Sequence, residues 1–314
     1  MNNEIQKLLD YLDNTKMKDN TIVILTSDHG DLLGSHGYMH QKWYNMYQEV
    51  IHVPLFIRWP KKIKPGTKYE SISSHVDIIP TILGFCNIKN IENQLWYKND
   101  FYNSQPLVGM DLSKYILNKD LILLNNIAFF MTNDNIAEGL GINDFLGMPP
   151  NPIEQPTSIY SIVVNLNLDK YPGIWKYACY IDAKSLWSNP PIYDDQVITY
   201  KYLCINDKPS QRAINFCPTT CTLCSQGLFS ACVTRSVKFI PIKNQYEMYY
   251  LTEDPLELNN YIYLIENNLA SLEIIEIRKI LQDLLIEQFN KKALSPVKGP
   301  VPGAVTAENL FVNL

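Results

Sequence analysis

The 314-residue sequence has no run of five or more Lys and Arg, and its 27 basic residues are outnumbered by 32 acidic ones, for a formal net charge of −5. It therefore lacks the electrostatic footprint that a phosphate backbone or an anionic membrane surface selects, and nucleic acid and lipid headgroups are excluded as expected partners. Long apolar runs are missing too. The longest, Leu121–Leu124 with Ile127–Met131, is interrupted by two asparagines and falls short of the ~20 residues that cross a bilayer, so no membrane span is expected. The opening stretch, MNNEIQKLLDYLD, has neither a basic region nor an apolar core and is not a secretory signal. Either the protein stays inside the cell or the chain lacks its native beginning, and the compartment is not legible.

Histidine is scarce, with five in the chain. All of them, His29, His36, His40, His52 and His75, lie within 47 residues, which marks that stretch as the place to look for metal-ligand or acid–base chemistry. The seven cysteines are an odd number. Cys86, Cys179 and Cys204 have no motif spacing and read as reduced core thiols. Cys217, Cys221, Cys224 and Cys232 form a cluster in which Cys221-x2-Cys224 has zinc-knuckle spacing. The remaining spacings are irregular and no histidine lies nearby, so zinc stays open beside free thiols or disulfides in an insertion.

With 46% hydrophobic residues the chain can bury a core of one or two domains. Ile5, Leu8, Leu9 and Leu12 form the stripe of an amphipathic helix that ends at Lys18-Asp19-Asn20. Thr21–Thr26 is a β-branched and apolar run, expected to be a central strand of a parallel sheet covered on both faces. Val53–Trp59 is expected to be a second strand. His75–Leu83 predicts a helix with Asp77 as N-cap and Pro80 in the first turn. Beyond about residue 115 a smaller α+β unit is expected, with an irregular connection through Pro149–Pro156, strands at Ile159–Leu166 and Trp175–Ile181, and a helical segment from Tyr261 to Asn290. The Ser295–Gly303 stretch reads as a loose tail. The expected organisation is 1–115, 116–290 with the cysteine insertion, and a flexible 291–314.

The strand Thr21–Thr26 runs directly into Ser27-Asp28-His29-Gly30-Asp31. Ligands of open α/β sheets bind beyond the carboxyl ends of strands, so Asp28 and His29 stand where a metal or substrate would sit. A carboxylate beside an imidazole suits Ca²⁺, Mg²⁺ or Mn²⁺ if further oxygens complete the shell and Zn²⁺ if nitrogens do. Gly30, Gly34 and Gly37 permit a tight loop that returns His36, His40 and Lys42 toward the strand end. The alternative for Asp28 is a polar turn that caps the next helix.

These residues resemble a known family. SDHGDLLGSHG, HQKWYNMYQEVIHVPLFIR and SHVDIIPTIL are similar to the second half of the catalytic domain of the type I sulfatases, in the alkaline phosphatase-like superfamily. QPLVGMDLS, MTNDNIAEGLG, WKYACYID and YEMYYLTEDPLELNN resemble later segments of that family. The resemblance implies a partial alkaline phosphatase-like α/β sandwich with a mainly parallel sheet, followed by a smaller α+β subdomain. It implies Asp28 and His29 as ligands of a divalent cation, usually Ca²⁺, and Lys42 as a sulfate contact, against a solvated surface lysine. His40 would bond the sulfate or leaving oxygen, or pack beside Trp43. His36 would order the loop, and His52 and His75 would be structural.

The departure from the family is as informative. Its nucleophile motif, Cys or Ser followed by x-Pro/Ala-x-Arg, is found at no position of this sequence, and its paired Asp-Asp, which lies far upstream of the SDHGD element in that family, has no counterpart before Ser27. Cys217 precedes Pro218 directly, Cys221 leads to Thr222-Leu223, and Cys232 is followed by Arg235 one residue too early. No cysteine here is a formylglycine precursor, and the chain reads as a C-terminal part of a sulfatase lacking the nucleophile-bearing half. The expected function is sulfate ester hydrolysis to which this chain contributes metal ligands and sulfate contacts, inactive alone and completed by a chain carrying the other half. The alternatives are a phosphoryl or phosphonate ester hydrolase of the same superfamily and a non-catalytic remnant.

Overall fold

The computed structural model describes residues 2–39, 42, 45–88, 107–118, 121, 123, 126–133, 156, 158–181, 204–205, 208–209 and 243–292. Helix α1, Asn2–Asn14, follows the expected stripe, with Leu12 buried and Leu8 exposed. A 3-10 turn at Lys18–Asn20 leads into strand β1, Val23–Thr26. Two helical turns, α2 at Ser35–Tyr38 and α3 at Gln48–Ile51, precede strand β2, Leu55–Arg58.

The pairing of β1 and β2 corrects the expectation of a parallel sheet. They pair antiparallel, Val23 opposite Arg58 and Thr26 opposite Leu55. The described residues between them make no more than four-residue helical turns, whereas a parallel crossover needs a dozen or more residues, usually a full helix packed on the sheet. Nor is β1 covered on both faces. Leu25 and Leu55 are each 40% exposed and Phe56 is 62% exposed, so apolar periodicity marked the strand correctly but overstated its burial.

The predicted helix near residue 75 is also built differently at its start. A 3-10 turn, His75–Asp77, precedes helix α4, Ile78–Phe85. Asp77 stands at the N-cap position of α4 as expected, but its side chain makes no cap bond there and instead reaches back to Ser74, the cap of the 3-10 turn, in a capping box. The buried Asp77 carboxylate accepts the backbone N–H groups of Ser74 at 2.9 Å and Met110 at 2.8 Å, tying this turn to the segment before helix α5, Ser113–Leu117. Cys86, just past α4, is exposed rather than a core thiol, whereas Cys179 is buried as expected.

Strands β3 (Ile127–Asn133), β4 (Ser158–Leu166), β5 (Gly173–Ile181) and, after the two-stranded ribbon β6–β7 (Cys204–Ile205 and Lys208–Pro209), β8 (Gln245–Tyr250) follow. A four-stranded sheet has the order β3-β4-β5-β8. Tyr160, Ile162, Trp175, Tyr177 and Met248 are almost wholly buried there. The expected helical segment is two helices, α6 at Tyr261–Glu266 and α7 at Leu272–Lys292, separated where Asn268 adopts φ +57°. The Asn260 side chain caps α6 through Ile262 N–H. Ile274, Ile277, Leu281 and Leu285 form the buried stripe of α7, which runs on through Lys291 and Lys292.

By contact density the chain forms two compact units, 1–129 with 161–178 and 247–298, and 130–160 with 179–246 and 299–314. No described helix is long and apolar enough to cross a membrane. The cluster Cys217, Cys221, Cys224 and Cys232, His40, the prolines 149–152 and the tail beyond Lys292 lie outside the described residues.

Candidate active site at the end of the first strand

Gly30 fixes the local geometry. Its N–H donates to Val50 O at 2.8 Å, and a Cβ at this position would stand 1.8 Å from Glu49 O, so only glycine lets the strand end lie against the α3 backbone. The loop then turns through Gly34 (φ +96°) and Gly37 (φ +80°), with His36 also at positive φ.

Asp28 and His29 project from this junction. The His29 N–H donates to Asp28 Oδ1 at 3.0 Å, and the Ser27 hydroxyl donates to His29 O at 2.6 Å. His29 Nδ1 lies 2.7 Å from Gly30 O. A carbonyl can only accept, so Nδ1 carries the ring proton and Nε2 presents its lone pair. That lone pair meets the Nζ of Lys42 and stands 3.4 Å from Asp28 Oδ2. The Asp28 side chain is 82% exposed. Its carboxyl is held below the usual range chiefly by the His29 N–H, against an opposing desolvation, with smaller contributions from the charges of His29 and Lys42.

The structure thus brings together three residues named from sequence: Asp28, His29 and Lys42. Asp28 Oδ2 and His29 Nε2 are donors that could share a cation, while the ammonium of Lys42 could face an anion. His36 is held away from them. Its ring stacks on Tyr47 with centroids 3.6 Å apart, and Nε2 lies 3.2 Å from Glu49 Oε2. His52 is exposed between α3 and β2. His75, set aside as structural, places Nε2 3.4 Å from Thr26 Oγ1 at the last residue of β1.

Sequence reading missed a buried arrangement beside this loop. Lys176 of β5 is fully buried, donates to Met46 O and pairs with the buried carboxylate of Glu257, which accepts Gln48 N–H at 2.7 Å. Its ammonium lies over the rings of Tyr47 at 5.5 Å and Tyr249 at 5.0 Å. Burial pulls the Lys176 ammonium below its ordinary range and pushes the Glu257 carboxyl above its own, and each charge opposes the other's shift. The available signal was a single charge inside the apolar run WKYACYI, which cannot be buried without a partner.

The family model for Sulfatase matches residues 1–88, the segment that carries Asp28, His29 and Lys42. The chain is 44% identical over 85 residues to an N-acetylglucosamine-6-O-sulfatase of Bacteroides thetaiotaomicron, covering 27% of this chain and 15% of that protein. It is 33% identical over 120 residues to a choline-sulfatase of Rhizobium meliloti, covering 37% and 22%. An arylsulfatase K of Xenopus laevis matches at 25% over 188 residues, 60% of this chain and 28% of that one. Among solved structures, one in complex with its substrate D-glucosamine-2-N,6-O-disulfate superposes at TM-score 0.49 and 21% identity, over 91% of this chain and 37% of that one. The phosphonate monoester hydrolase of Agrobacterium radiobacter superposes at TM-score 0.48 and 18% identity, over 92% and 39%.

Residues 1–88 are therefore similar to a sulfatase segment. The chain spans 15–33% of the length of three curated sulfatases that it matches.

Proposed function

We propose that this chain serves sulfate ester hydrolysis, contributing part of a sulfate-binding and cation-binding site at the carboxyl end of β1. The observation that supports this reading is the convergence of Asp28, His29 and Lys42 within the segment matched to the sulfatases. The Lys42 ammonium contacts the ester's sulfate oxygens, where a compact positive charge stabilises the negative charge that gathers as the S–O bond breaks. His40, two residues away in sequence, is proposed as a second contact to the sulfate or leaving oxygen.

The donor set suits one part of a hard-cation shell. Asp28 Oδ2 is exposed and ionised, and the Gly30 carbonyl holds His29 in the tautomer whose Nε2 is a donor. These two residues would hold a divalent cation such as Ca²⁺, which when bound neutralises charge on the sulfate. One carboxylate and one imidazole fall short of the six to eight ligands that Ca²⁺ takes. Lys42 stands against the same lone pair and has to turn toward the anion when the cation is held.

With no Cys/Ser-x-Pro/Ala-x-Arg in the sequence, the nucleophile, a formylglycine in this family, comes from residues outside these 314, and the chain alone turns nothing over. A polypeptide carrying that motif is the proposed partner. The exposed Leu25, Leu55 and Phe56 on the β1–β2 pair support a surface that such a partner would cover. The test is co-expression with a segment bearing Cys-x-Pro-x-Arg and formation of its formylglycine. The reading expects turnover of an aryl sulfate that is lost in Lys42→Met. Turnover of a phosphonate monoester in preference to the sulfate would favour the phosphoryl-type alternative. A complex that forms but hydrolyses neither would leave a non-catalytic remnant.

A further inference from the structure

Lys42 is carried on the same stretch of chain as Met46, Tyr47, Gln48 and Glu49, and that stretch is gripped twice. Toward the site, Val50 O accepts the Gly30 N–H next to His29. On its other side, Lys176 takes Met46 O and Glu257 takes Gln48 N–H, so two adjacent backbone groups are held by two charged side chains that are themselves paired. Hydrogen bonds to charged partners are about twice as strong as neutral ones. His36, Glu49 and Glu257 offer ligand atoms within 4.8 Å of one another, as a metal site would. Here Lys176 already supplies the cation, against Glu257 and over two tyrosine rings.

We propose that Lys176 and Glu257 are positioning residues for the sulfate site: as a buried clamp on residues 46–48 they set the reach of Lys42 to His29. Neither touches substrate. The proposal rests on the reading of Lys42 as a sulfate contact. It predicts that the Lys42–His29 contact depends on residues 134 and 215 positions downstream of Lys42, whereas core damage elsewhere leaves that contact intact.

The test is NMR of the ring nitrogens of His29 in the full chain, with Lys42→Met providing the signal of a released Nε2. Lys176→Met is expected to move the His29 signal to the Lys42→Met position. Leu281→Ala, a core truncation in α7, should lower the melting temperature and leave the His29 signal at wild type. Because Lys176→Met strands a buried carboxylate and could fail to fold, the double variant Lys176→Met/Glu257→Gln is measured with it. It keeps the volume and an acceptor for Gln48 N–H, and should recover melting temperature without recovering the contact. In parallel, inorganic sulfate should bind the double variant about tenfold more weakly than wild type, the loss of roughly one charge-assisted hydrogen bond.

A wild-type His29 signal in the double variant, or an equal displacement by Leu281→Ala, would overturn the clamp. So would a wild-type signal already identical to that of Lys42→Met. Absence of sulfate binding by the wild type would count against the proposed function instead, while the His29 signal would still decide the clamp.

Discussion

The strand end and the clamp hold charges under opposite conditions. Asp28 is 82% exposed and its hydrogen-bond partners are sequence-adjacent, whereas Lys176 and Glu257 are shut away from solvent and lie 81 positions apart in the chain. An exposed carboxylate can be left short of partners because water solvates it until a ligand arrives. A buried charge cannot, so it is fully engaged and serves to hold other groups. On the proposed reading, the difference separates groups that would meet ligand from groups that would fix where those groups stand.

The largest expected effect breaks the buried side of this contrast. Lys176→Met leaves Glu257 buried without its counter-charge and should cost about 3–5 kcal/mol, measured by urea unfolding. The double change with Glu257→Gln should cost far less than the sum of the single changes. Gly30→Ala acts on the join between strand end and loop. Its Cβ would lie 1.8 Å from Glu49 O, a backbone atom that cannot swing aside, so a loss of about 3 kcal/mol is expected together with weakened sulfate binding.

Asp77→Ala removes the capping box and strands Met110 N–H, with an expected loss of about 2 kcal/mol read by thermal unfolding and no change in the His29 ring signal.

The smallest effect sharpens the contrast from the exposed side. The Glu273 carboxyl is held down to about 2 by the hydrogen bond from Lys170 first, then by its own backbone N–H and the Ser271 hydroxyl, and last by the Lys170 charge, although Lys170 and Glu273 are both solvated. A depressed carboxyl stabilises the folded chain above its ordinary value of 4.5, and this contribution fades as pH falls from there toward about 2. Lys170→Met should move the Glu273 titration only part of the way toward 4.5 by NMR, because the backbone N–H and Ser271 still hold it, with no resolvable change in melting temperature at neutral pH.

The strand end was legible because its chemistry is local. An apolar run that stops at Ser27-Asp28-His29-Gly30 states both the strand and its exposed end, and the glycine spacing announces the loop. Asp77 was legible as the N-cap position of α4, but not its capping box with Ser74, because the 3-10 turn that joins them leaves no separate mark in the sequence pattern. Strand direction was not legible, since an apolar run carries a period but no orientation. Lys176 could be flagged as a charge in a buried strand, yet its partner Glu257 is set by tertiary packing that local pattern does not encode.

The most direct test of the central claim is calorimetric titration of sulfate into the full chain, with and without Ca²⁺, for wild type, Lys42→Met and Asp28→Asn. The account predicts sulfate binding that Ca²⁺ strengthens, an affinity lowered about tenfold by Lys42→Met, and loss of the Ca²⁺ effect in Asp28→Asn. Identical titrations for all three proteins would contradict a sulfate site at the end of β1.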